Sequence, residues 1–393
     1  MKRMYQIFIL AGFLAASLFF NTTLYAGEGF KIGNTEAKVI PWGKITLQYD
    51  DNVFLEENDE KDDFIIVLTP GITLEWPFSD SRLKLDYHAD YTQYIDYSSQ
   101  DATNHYVSGE MDVKWRDVDF LIYDKFTHAY YRPSTEDTDR IKVDDNRAGI
   151  KAVFQADRLG VHLGYENFTR DYKSEDIYDA YDRTEHIYSF MLTHKTSPKT
   201  DLLFEYDFAQ VRYDNDTARS DSDYHQFLVG AIGEVTQKTT ATLKTGYMFR
   251  DYENDVEPDF DSGVLYADIV HKFSDKNALK MSFERTAYES LYGVNNFYKV
   301  ENVSATFDHY FTRKLMGFLT ARHQINSYPR ETTEGAETKK RKDKYISMGA
   351  GFEYYLNKWM TFTLRADHIT RGSNFDVFEY DQNRVTFTAK AEF

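Results

Sequence analysis

The chain has 393 residues, a formal net charge of -18, 17% aromatic residues and no cysteine. An acidic chain repels phosphate backbones, which sets nucleic acid aside as a partner. The missing cysteines remove disulfides, thiolate metal sites, a cysteine nucleophile and a lipid-modified N-terminal cysteine.

Residues 1–26 have the form of a secretory signal peptide: Lys2 and Arg3, an apolar run over residues 7–20, and Leu24-Tyr25-Ala26 as the cleavage site. Without Lys2 and Arg3 the basic residues fall from 46 to 44 against 64 acidic, so the mature charge is -20. Residues 27–42 read as a short arm ended by Pro41. Residues 43–393 read as one barrel domain.

From Gly43 the chain becomes a series of long segments in which apolar and polar residues alternate, the mark of strands with one greasy and one wet face. Over residues 82–91, Leu83, Leu85, Tyr87, Ala89 and Tyr91 oppose Arg82, Lys84, Asp86, His88 and Asp90. Similar alternation runs through residues 202–208, 241–249 and 360–367. It slips over residues 117–132, where a bulge is expected. Five titratable side chains on one face would not pack in a dry core, but they suit a water-filled interior.

Tight polar connections occur at residues 77–81, 116–117, 156–158, 197–199, 237–239, 274–276, 312–314 and 357–358. They recur roughly every 40 residues, the length of one long hairpin. Between them lie looser, more acidic connections at residues 55–61, 98–101, 133–139, 174–181, 215–220, 254–259, 330–341 and 373–377. Short turns alternating with long loops are the asymmetry of an outer-membrane barrel. Two strands per repeat predict an all-β, antiparallel up-and-down transmembrane barrel of about 18 strands, within a range of 16 to 20. The last segment, residues 384–393, alternates up to Phe393 and is expected to close the barrel against its first strand.

No G-x-S-x-G, H-E-x-x-H, P-loop or dinucleotide fingerprint is present, and no cofactor or metal is expected. The acidic stretches at Asp214, Asp216, Asp221 and Asp223 and at residues 56–63 lack EF-hand spacing and read as solvated loops. The residues expected to face the lumen are Lys84, Asp86, His88, Asp90, Glu205, Asp207, Lys244, Arg365, Asp367, Lys390 and Glu392, with His368 as another lone lumenal histidine. This set mixes signs and carries no ring of Arg or Lys of the kind an anion pore needs.

Tyr49-Asp50-Asp51-Asn52-Val53-Phe54, Asp62-Asp63-Phe64, Thr69-Pro70-Gly71-Ile72, and Leu85-Asp86-Tyr87 with Tyr91 and Tyr94 resemble the first hairpin of a family of outer-membrane β-barrels associated with exopolysaccharide biosynthesis and export. The resemblance implies a porin-like conduit for a secreted polysaccharide or another hydrophilic solute, working with a periplasmic export protein. It supplies no catalytic residues, and the chain is read as a non-enzyme. The bacterial outer membrane as location implies its lipid, lipopolysaccharide and the barrel-assembly machinery as partners. The alternative readings are a surface interaction barrel acting through its acidic loops and a barrel hydrolase with a nucleophile and base converging from distant strands.

Overall fold

The computed structural model describes residues 29–136, 139–173, 176–215, 219–253 and 259–393; the segment read as a signal peptide lies outside them. Every backbone amide in a lipid-embedded sheet needs a partner within the protein, and alternating sequence can meet that need only by closing on itself. The strands are β1 (Phe30–Lys31), β2 (Lys38–Asp50), β3 (Asp63–Phe78), β4 (Ser81–Tyr94), β5 (Ala102–Trp115), β6 (Val118–Tyr131), β7 (Ile141–Ala156), β8 (Leu159–Tyr172), β9 (Arg183–Ser197) and β10 (Thr200–Tyr213). They continue with β11 (Ser222–Thr236), β12 (Thr239–Tyr252), β13 (Phe260–Ser274), β14 (Asn277–Glu289), β15 (Phe297–Tyr310), β16 (Leu315–Glu334), β17 (Glu337–Tyr355), β18 (Met360–Ser373) and β19 (Tyr380–Glu392). Each strand from β2 to β19 pairs antiparallel with its sequence neighbours, and β19 pairs with β2, making a closed barrel of 18 strands. The two-residue β1 pairs only with Lys38 and Val39 at the rim.

The seam joins Arg384 opposite Asp50 through Glu392 opposite Trp42. The Phe393 amide donates to the Pro41 carbonyl at 3.0 Å, and the Phe393 ring stacks on Trp359 with centroids 5.9 Å apart. The ladder of β2 therefore runs through Pro41 and Trp42, and residues 38–42 of the segment read as an arm stand in the wall. Trp42 lies across Gly71, where a Cβ would fall 2.2 Å from the indole, so glycine is required there.

Asp50, Asn52 and Asp63 of the first-hairpin motif are staples at the long-loop rim. Asn52 is fully buried; its side chain donates to the Glu56 and Asp381 carbonyls at 2.7 and 2.8 Å, while Asp50 accepts two bonds from Gln382. Asp63 accepts from the amides of Phe64, Ile95, Asp96 and Tyr97. A carboxylate that accepts several hydrogen bonds at once is held in one place, so these acids fix loop geometry.

All eight short turns sit at one rim and the longer connections at the other. Ser79, Arg116 and Asp157 adopt positive φ of 50°, 57° and 51°, the conformation that tight two-residue hairpins demand. Three details depart from the sequence reading. β6 pairs without a register break with both neighbours, so no bulge lies in residues 117–132; the shifts fall instead near Thr200, Thr236, Ser274 and Ser327–Glu331. Most of residues 330–341 is the protruding end of the β16–β17 hairpin, which turns at Gly335 (φ 59°), because strand projecting into water needs no apolar face. A further long-rim connection spans residues 290–296, where aromatic and apolar residues disguise the loop.

Leu364, Phe387, Leu85, Phe352 and Leu243 are among the exposed apolar residues that form the outer surface. A charge there must enter hydrocarbon, whereas on the opposite face it meets water. Leu364→Arg is expected to destabilise the barrel by about 2–4 kcal/mol and Thr363→Arg by less than about 1 kcal/mol, read by urea unfolding in lipid vesicles.

Candidate functional site: an arginine-flanked strut across the lumen

The chain leaves the wall after Tyr131 because Pro133 has no amide to donate to a ladder and restricts Arg132 before it. The β6–β7 connection then turns inward and reaches the far wall. The Thr135 hydroxyl accepts from Gln324 and Asn326 of β16 at 2.9 and 3.0 Å. Arg371 of β18 donates to the Thr135 and Glu136 carbonyls at 3.1 and 3.2 Å, and Arg341 of β17 donates to the Glu136 carbonyl at 3.1 Å. The Glu136 carboxylate, 3% exposed, binds the Ser290 hydroxyl and accepts the Leu291 amide at 2.8 Å. β16 stands about half the strand count around the barrel from β6, so this loop is a strut across the bore.

Its far anchor is built from groups that satisfy one another. Arg341 and Asp343 are each 1% exposed and paired at 2.7 Å, and the Arg341 guanidinium sits 3.6 Å from the Phe378 ring centroid, with Tyr292 and Tyr328 beside it. A charge this deep is tolerable only with such partners. At the near end Arg132 donates to the Val53 carbonyl at 2.8 Å and Arg140 to the Tyr94 hydroxyl at 2.7 Å. Burial, and after it the charge of Arg140, lower the Arg132 guanidinium from its usual pKa; arginine stays protonated regardless.

Two cavities of about 440 and 460 Å³ adjoin the strut and share Pro133, Arg170, Arg183, Glu284, Tyr288 and Glu289. Together their walls carry six arginines, at 132, 147, 170, 183, 250 and 322, against three glutamates, at 185, 284 and 289. The glutamates are already engaged: Glu185 by Arg183 at 2.8 Å, Glu289 by Arg250 and by the Tyr213 hydroxyl, Glu284 by the Tyr288 hydroxyl. Outside the cavities, Asp145 holds Arg170 through two bonds of 2.7 Å, and Glu166 holds Arg147. Arg147, Arg170 and Arg183 surround the Phe168 ring at 4.5, 5.5 and 5.7 Å. Among the described residues, Arg322 bonds only to amides, Asn302 at 2.9 Å and Gln324. The expectation of a lumen without clustered arginines is thus overturned. These residues sit on inward positions near the long-loop ends of the strands, where aromatic and acidic neighbours blur the alternation and only closure brings them together.

None of the eleven residues singled out from sequence lines either cavity. Most of them bond to one another: Lys244 with Glu205 at 2.5 Å, Arg365 with Asp367 at 2.6 Å, Lys390 with Glu392 at 3.1 Å, His88 with Asp86 at 3.2 Å. Asp86 also accepts from Thr73, Asp90 from Thr69 and Asp207 from Gln226. Lys84 is exposed, with no ion pair among the described residues. His368 faces outward, in the row of Leu364 and Ala366, and bonds to Asn383 at 2.9 Å. Of the aspartates weighed as a cation site, Asp216 lies outside the described residues, while Asp221 and Asp223 face Arg212 at 3.7 and 2.6 Å.

A closed cylinder with an apolar exterior, a polar interior, short turns at one rim and long loops at the other is an outer-membrane β-barrel of the porin class. Residues 25–393 match the family model described as "Putative beta-barrel porin 2", and the chain belongs to that family. The family is one of outer-membrane channels, and that membrane is where the chain resides. No curated protein matches the sequence. Among solved structures, Pseudomonas aeruginosa OpdK with vanillate is similar at 10% identity and a TM-score of 0.51, over 90% of this chain and 99% of that one. Pseudomonas aeruginosa OccK2 in complex with glucuronate gives 10% and 0.52 over 91% and 98%. A BenF-like porin from Pseudomonas fluorescens Pf-5 gives 10% and 0.51 over 91% and 99%. At that identity the likeness is one of fold.

Two outcomes follow from this geometry. Glu136→Ala removes the Ser290 and Leu291 contacts, and charge-assisted hydrogen bonds are worth about 1.5–3 kcal/mol each. The strut is then expected to detach part of the time, giving larger and noisier single-channel conductance in planar bilayers.

At the mouth, Asp182 accepts the Tyr172 amide at 2.6 Å, and its carboxyl is pushed up to about 6 by burial, partly opposed by that bond, and by Asp171, Asp179 and Asp214. The folded pKa exceeds the unfolded one, so its favourable contribution is complete below about pH 4 and is lost as pH rises through about 6. Because water screens this partly exposed group, about 1 kcal/mol or less is at stake. Asp182→Asn is expected to slow amide exchange in residues 176–181 at pH 8 and to leave it unchanged at pH 4.

Proposed function

We propose that the barrel is a passive pore for small hydrophilic solutes bearing a negative charge, drawn through the throat beside the strut. The observation that carries this reading is the cluster of six arginines around the two cavities, of which Arg147, Arg170, Arg183 and Arg250 pair with carboxylates and Arg322 with none among the described residues, in a chain of net charge -18. Positive groups at the narrowest, least hydrated part of a pore attract anions and raise the barrier for cations. Phe168, Tyr288 and Tyr298 beside the guanidiniums offer apolar faces to the rest of the solute. OpdK with vanillate and OccK2 with glucuronate are barrels of this fold holding carboxylates, which agrees with an anionic cargo here.

A secreted polysaccharide, implied by the resemblance of the first hairpin, is the second reading. Its support is the tyrosine-rich interior, on which sugar rings can slide. A strut anchored by five side-chain contacts divides the bore, however, and favours a small solute over a hydrated polymer.

In planar bilayers under a potassium chloride gradient, the reversal potential is expected to report anion preference, and vesicles should admit glucuronate faster than glucose. Arg322→Gln removes a guanidinium that no carboxylate matches; a unit charge a few ångströms from the path is worth about 1 kcal/mol in water-like surroundings, so the preference should fall roughly fivefold. Cation selectivity, or a wild-type preference that Arg322→Gln leaves unchanged, overturns the proposal; blockade by a long anionic glycan without passage of monomers favours the polymer reading.

A further inference from the structure

The longest hairpin carries a feature that the pore does not use. On β17 the side chains of Arg341 and Asp343 point inward and are buried, while Lys340, Lys342 and Lys344 alternate with them and are exposed on the opposite face. That outer face continues directly into Ile346, Met348, Phe352 and Tyr354, all exposed apolar residues of the lipid-facing wall. Lys344 is level with Gly372, one residue before β18 ends, so Lys342 and Lys340 stand just above the rim. Lys299 of β15 faces the same side across Ser327 of β16.

We propose that this stripe is a docking surface for the phosphorylated headgroup of an outer-leaflet glycolipid, lipopolysaccharide, with its acyl chains on the apolar row below. Lysines two residues apart on a strand lie about 7 Å apart, close enough for two ammonium groups to flank one phosphate. None of the three forms an ion pair with a carboxylate of the described residues within 4.0 Å, although Glu331 stands opposite Lys340 in the ladder and Glu301, held by Arg285 at 3.3 Å, lies beside Lys299. Their charge is therefore available to a ligand. A free polyanion would gain only the lysines, whereas a lipid gains both the charges and the apolar row, with the lysine stems lying along that boundary. In a chain of net charge -18, facing an anionic leaflet, a local basic contact above the hydrocarbon edge also offsets long-range repulsion.

The test uses the full-length barrel in detergent with a chelator present, titrated with a phosphorylated lipopolysaccharide, with the same glycolipid after dephosphorylation, and with inorganic phosphate. The wild type is expected to prefer the phosphorylated lipid, to lose that preference as salt rises, and to ignore millimolar inorganic phosphate. The K340Q/K342Q/K344Q variant should bind the phosphorylated lipid more weakly by about fivefold per lysine, on the order of a hundredfold in all. Lys84→Gln in the lumen should bind as the wild type does. Equal binding of the two glycolipids by the wild type overturns the proposal without recourse to any variant. Undiminished binding by the triple variant, or saturation by inorganic phosphate, does so as well.

Discussion

A backbone in hydrocarbon has no water to fall back on, so each amide and carbonyl must find its partner in the protein. From that single demand come the closed ladder from β2 to β19, the pairing of Phe393 with Pro41, and the strict division of side chains between two faces. The outward row is apolar because lipid touches it. The inward row is free to be polar because water can. The charge arrangement in the lumen is consequently a matter of which residues evolution places on alternate positions, and the wall holds its shape whatever they are.

Those inward charges fall into two groups with different consequences. Near the short turns, acids and bases meet as neighbours, such as Glu205 with Lys244 and Arg365 with Asp367, and their fields cancel over a few ångströms. Near the strut, guanidiniums outnumber carboxylates and several rest against aromatic rings or amides. A passing ion would sense the second group far more than the first, because paired charges present only dipoles.

Much of this architecture was readable from residue order. Turns such as Arg116-Asp117 and the alternation in residues 82–91 depend on local backbone preferences and on which solvent meets each face, and both are written locally. Four things were not. The projecting tip of β16–β17 is polar on both faces and therefore looks like loop, whereas residues 290–296, which carry Leu291, Tyr292 and Val294 and bind Glu136 of the strut, look like strand. The arginine throat joins residues up to 190 positions apart, from Arg132 to Arg322, so no window of sequence contains it. His368 stands on the outer row opposite Met348, where its ring finds Asn383 and Thr370 as partners without turning to the lumen.

The strut has a mechanical meaning too. An unbraced cylinder of this girth flattens easily into an ellipse when the surrounding bilayer is compressed or stretched, and its bore narrows along one axis. Thr135 and Glu136, tied to β16, β17 and β18 from a loop rooted on the facing wall, act as a crossbar against such ovalisation. The aperture of this barrel should accordingly stay nearly constant under lateral tension that would deform an empty cylinder of equal circumference.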